Sequence, residues 1–96
     1  MPPDNAIAVL YGITKDPDVL TFLRGQPASL RDKLNDAIDN LQATPRPQGH
    51  VMANSGGFPI VKLVVDTTQP HYLLVYTVDD NKEKIYIIAV QEKRFS

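Results

Sequence analysis

The chain contains no cysteine, which excludes disulfides and thiolate metal sites and makes a cytoplasmic home the simplest expectation. It also lacks a charge excess. Ten basic residues stand against eleven acidic ones, a formal net of −1. Proteins that grip nucleic acid usually carry a basic surplus, because neutralising phosphate supplies most of their affinity. No run approaches the ~18 uninterrupted apolar residues of a membrane span, so no membrane role is expected. The opening MPPDNAIAVLYGIT has neither a positive leader nor a long apolar stretch, unlike a secretory signal. No repeat or low-complexity tract divides the chain, so residues 1–96 read as a single domain.

What is present is patterned. Residues 6–14, AIAVLYGIT, are rich in Ile, Val and Tyr and predict a first strand. Asp16-Pro17 then predicts a helix start: the carboxylate accepts backbone N–H bonds, and proline tolerates the first helical position. Val19, Phe22 and Leu23 give that helix its apolar side, and Gly25 and Pro27 stop it. Ser29, with Asp32 three residues on, predicts a second capped start. Leu30, Leu34, Ala37, Ile38 and Leu41 follow as one stripe at helical period. Residues 43–57 read as a loop. Three apolar runs then alternate with short polar turns: strands over 60–66, 72–79 and 85–91, joined by TTQP and DNKE.

The expected class is therefore α+β, in the order β-α-α-β-β-β, an antiparallel sheet with two helices on one face. One strand is unusual. In YLLVYTV, Tyr72, Leu74, Tyr76 and Val78 share one parity while Leu73, Val75 and Thr77 share the other, and both are apolar. A strand wetted on one side should alternate. Two helices roof only one face, so the other is expected either to be covered by another chain or to be shaped into an apolar groove.

This order, with the LQATPRP that follows the second helix, the Lys62-Leu63 pair, the HYLLVYTVDD stretch and the closing IYIIAVQEKR, resembles the RelE/ParE superfamily of toxins from type II toxin–antitoxin systems. The resemblance implies a RelE/ParE-like sheet, an antitoxin partner, no cofactor, and either translation inhibition or poisoning of DNA gyrase. An enzyme of this kind would be an mRNA endoribonuclease acting at the ribosome, in which cationic groups stabilise the charge that builds on the scissile phosphate. Carried over position by position, the pattern falls on Lys62, Lys93 and Arg94. The arginine expected in the third strand falls on Leu73, and the tyrosine expected near the end has no counterpart beyond Phe95. Loss of one such donor typically costs ~10²–10³ in rate, so action by protein–protein contact is the expected activity. A catalytically inactive module, homodimeric or partner-binding, is the alternative.

The candidate catalytic set is Lys62, His71, Lys93 and Arg94, with His71 a possible general acid or base beside the missing arginine. The candidate partner-binding set is Leu73, Val75, Ile60 and Val64. Each has an ordinary reading as well. Lys62 fits an edge-strand lysine that discourages sheet association, and Lys93 and Arg94 fit a solvated tail. His50 fits a loop histidine, and Tyr72, Tyr76 and Tyr86 fit core packing. Asp79, Asp80 and Glu83 fit turn chemistry rather than a metal site.

Overall fold

A computed structural model describes residues 10–65 and 71–93. Its elements are β1 (Gly12–Lys15), α1 (Pro17–Arg24), α2 (Ala28–Asn40), β2 (Val51–Ser55), β3 (Phe58–Val65), β4 (His71–Asp79) and β5 (Lys84–Lys93). The five strands form one sheet in the order β1-β5-β4-β3-β2. The α+β class and the two-helix insertion match the sequence reading. The sheet, however, is mixed and one strand larger than expected. β1 runs parallel to β5, pairing Gly12 with Lys84 through Lys15 with Ile87, and the remaining pairs are antiparallel.

The first helix begins as its sequence implies. Asp16 accepts the Asp18 N–H at 3.0 Å, Pro17 occupies the first turn, and Gly25 closes the end. The carboxylate also accepts the Tyr86 hydroxyl at 2.8 Å. Those two donors, the backbone N–H first, hold the Asp16 pKa below the ordinary carboxylate value. The second helix departs from expectation. Pro27, not Ser29, sits at its N-cap, and no side chain caps it. Pro27 keeps φ at −57° while ψ, at 151°, is extended, and the helix starts one residue before the serine.

The extra strand lies inside the expected 43–57 loop. Ser55 and Phe58 pair across a two-residue turn, and Gly56 and Gly57 both take positive φ, 58° and 88°. A two-residue hairpin with both central residues left-handed matches strand twist, and glycine occupies it without a Cβ penalty. At the other end of the sequence, the strand expected over 6–14 reduces to Gly12–Lys15 within the described residues. Residues 6–9, the TTQP turn with Asp66, and the tail from Arg94 lie outside them.

One face of the sheet carries the core. Val19 and Leu23 of α1 and Leu34, Ile38 and Leu41 from α2 and its end pack with Val61, Val65, Tyr72, Leu74, Tyr76, Ile85 and Ile87. Phe22 and Tyr72 meet with ring centroids 5.9 Å apart. Each fully buried Leu or Ile contributes roughly 1.5–3 kcal/mol. A bulge keeps this face continuous. Val75 pairs with Ala89 and Tyr76 with Ile87, leaving Ile88 unpaired. The extra residue resets parity on β5, so Ile85 and Ile87 before it and Val90 after it all serve the helix side.

Candidate interaction face

The other face is built by the opposite parity. On β3 it carries Ile60, Lys62 and Val64; on β4, His71, Leu73, Val75 and Thr77. Pairing fixes their layout: Val64 is opposite Leu73, Lys62 is opposite Val75, and Ala53 of β2 is opposite Ile60. None of these side chains belongs to the helix-side core. The four residues expected to bind a partner, Ile60, Val64, Leu73 and Val75, therefore form one apolar strip across neighbouring strands. Their exposures differ. Ile60 and Val75 are each only 7% exposed, while Leu73 is half-buried and Val64 is 42% exposed. The contactable part is thus centred on Leu73 and Val64. β2 extends the strip with Val51 and Ala53, inside the segment whose sequence reads as a loop.

Three of the candidate cations, Lys62, His71 and Lys93, stand on this face, and two of them meet. His71 and Lys93 are direct partners across β4 and β5. Lys62 lies opposite Val75, four residues along β4 from His71, which places the two backbones ~13 Å apart. Val64 and Leu73 stand between them. Arg94 lies outside the described residues. The edge-strand reading of Lys62 is overturned, because β2 covers that flank: Lys62 pairs with Val51 on one side and Val75 on the other. It is a half-buried lysine in an interior strand, with its charge set among apolar neighbours.

The other singled-out residues resolve individually. Asp79 does turn work, accepting the Lys82 N–H at 3.1 Å. Asp80 does more. Its carboxylate takes both Arg46 guanidinium nitrogens, at 3.2 and 2.9 Å, and the Tyr11 hydroxyl at 2.8 Å. The Arg46 bonds first, then the Tyr11 bond, hold the Asp80 pKa below the ordinary carboxylate value. This exposed cluster joins the start of β1, the segment after α2 and the β4–β5 turn. Sequence reasoning missed it, since the three residues are far apart and no local pattern links them. Tyr76 is the internal counterpart: fully buried, it donates its hydroxyl to the Pro45 carbonyl at 2.7 Å. Tyr72 is also buried, whereas Tyr86 is partly exposed and bonded to Asp16. The His50 ring Nδ1 lies 2.8 Å from the Pro47 carbonyl within its loop. Among the described residues no group of three metal-ligating side chains gathers, and no helix is long and apolar enough to cross a membrane.

An αα-hairpin inserted after the first strand, laid on one face of a mixed sheet whose first and last strands are neighbours, defines the α+β class. The particular fold is that of RelE. No family model and no curated protein matches the sequence, but solved structures do. The archaeal RelE–RelB complex from Pyrococcus horikoshii OT3 superimposes with a TM-score of 0.75 at 15% identity, covering 91% of this chain and 99% of that one. The isolated E. coli RelE toxin gives 0.69 at 21% identity, covering 90% and 87%. The RelBE2 toxin–antitoxin complex from Mycobacterium tuberculosis gives 0.68 at 16% identity, covering 88% and 100%. The chain thus has a RelE-like fold over about nine-tenths of its length, and at these identities the likeness is one of architecture.

Proposed function

We propose that this protein is the toxin-like member of a toxin–antitoxin pair, acting through protein–protein contact in the cytoplasm. A cognate antitoxin holds it inactive by laying an amphipathic helix or extended segment along the apolar strip. The supporting observation is that strip itself. Val64 and Leu73 sit side by side on the sheet face that carries none of the helix-packed core, within a fold shared by RelE toxins solved alone and with antitoxins.

Cleavage of mRNA is the less favoured activity. The position that would supply a central cation holds Leu73, and Lys62 is distant from the His71–Lys93 pair. A transition state that needs several donors on one phosphate gains little from cations spread along a strand.

The test is expression with and without the neighbouring gene. Growth should arrest with the protein alone and recover with its partner. Val64→Asp or Leu73→Asp should abolish co-purification with that partner while leaving the circular dichroism spectrum intact. Translation and supercoiling assays then separate the ribosome from DNA gyrase as target. An absence of both arrest and a neighbouring antitoxin gene would overturn the reading. Ribosome-dependent mRNA cleavage lost on Lys62→Ala would restore the nuclease.

A further inference from the structure

The two edges of the sheet are treated differently. β1 carries the usual protections: it is four residues long, ends in Lys15, and runs straight into Asp16-Pro17. Its start is also tied down, because Tyr11 and Gln42 exchange two hydrogen bonds, Tyr11 N–H to Gln42 O at 2.9 Å and Gln42 Nε2 to Tyr11 O at 3.3 Å. β2, at the other edge, has none of these devices. It holds five residues in unbroken register with β3, without proline or bulge. No Asp, Glu, Lys or Arg occurs from Pro47 through Val61. Its adjacent residues Val51 and Met52 point to opposite faces and are 59% and 50% exposed.

We propose that β2 is a self-association edge: two copies pair β2 to β2, antiparallel about a two-fold axis, to form one continuous sheet. The requirements of an added strand are met on both faces. On the apolar strip, Val51 continues the row that contains Lys62 and Val75. On the helix side, Met52 pairs with Val61 and keeps half of its own surface exposed for a neighbour across the two-fold. The occupant is a second copy rather than a charged segment, because an edge without charge offers nothing to steer or select one. An antiparallel two-fold contact also consumes both β2 edges at once. Only the guarded β1 edges remain outside, so association stops at the dimer instead of growing into a filament.

Five-residue strands with these flanking side chains bury on the order of half of a standard ~1,600 Å² interface, so the dimer forms reversibly with concentration. The proposal stands apart from the antitoxin reading, since neither toxicity nor a partner gene enters it.

Sedimentation equilibrium of the purified protein from roughly micromolar to ~1 mM tests it. A monomer–dimer equilibrium is expected, weakened at least tenfold by Val51→Glu and by Met52→Lys, both exposed positions that leave the thermal transition in place. Val64→Lys, on the open sheet face away from the edge, should leave the dimer constant unchanged. Amide exchange over residues 51–55 should slow as concentration rises. Monomers at every concentration would overturn the proposal. So would a dimer abolished by Val64→Lys but indifferent to the two β2 variants, or exchange in 51–55 that does not depend on concentration.

Discussion

Replacing Tyr76 by phenylalanine removes a single oxygen from the centre of the molecule and keeps the ring. In the folded protein that oxygen donates to the Pro45 carbonyl at 2.7 Å, pinning the segment after α2 to the middle of β4. The net worth of one such bond is ~1 kcal/mol, and a buried acceptor left without a donor adds to the loss. The Pro45 end is only partly buried, so water recovers some of it, and the expected cost is about 1–2 kcal/mol. For a domain of this size each kcal/mol moves the midpoint by ~4–8 °C, so Tm should fall by roughly 5–15 °C. Burial also pushes the Tyr76 pKa up to about 12. A folded-state pKa above the unfolded value of ~10 means a contribution that is complete below pH 10 and lost as pH rises toward 12. The wild type should therefore lose stability across that window more steeply than Tyr76→Phe. Thermal melts at neutral and alkaline pH, with phenolate absorbance recorded alongside, measure both effects. A Tm change under ~2 °C, or four tyrosines all ionising together near pH 10, would refute the reasoning.

Leu34 is fully buried between the helix and the sheet, so Leu34→Ala should cost about 3 kcal/mol, read from the urea midpoint. Gly57 has φ of 88° with open space around it, so Gly57→Ala should destabilise by ~1 kcal/mol through backbone strain alone, seen as a lower Tm without altered side-chain packing. The depressed Asp80 pKa makes its contribution present above the ordinary carboxylate value and lost as pH falls through the folded one. Asp80→Asn should thus lower Tm at neutral pH and flatten its decline below about pH 4.

The helices were legible because their evidence is local. Asp16-Pro17 and the Leu34–Ile38–Leu41 spacing declare a start and a face within a few residues. The meander was legible for the same reason. β2 was missed because VMANS has little β-branched content, although the Gly56-Gly57 dipeptide ahead of FPIV was a usable hairpin signal. The parallel β1–β5 pairing and the Arg46–Asp80–Tyr11 cluster join distant residues, and no window of sequence contains both sides of either. The two-sided apolarity of β4 correctly marked a face without helix cover. It could not show that Val75 would be buried while Val64 stayed open, since exposure depends on the three-dimensional surroundings of each strand and not on parity alone.

The adjacency of β1 and β5 orders the events of synthesis. β5 is the joint between β1 and the β4-β3-β2 ribbon, and among the described elements it is translated last. Until it leaves the exit tunnel, Gly12–Lys15 has no neighbour to dock on and the flank of β4 is bare. Nascent chains therefore pass through a stage in which the hairpins exist but the domain does not, and long-range closure of this kind is slow. Of the described elements, β5 is thus the one on which closure of the sheet waits.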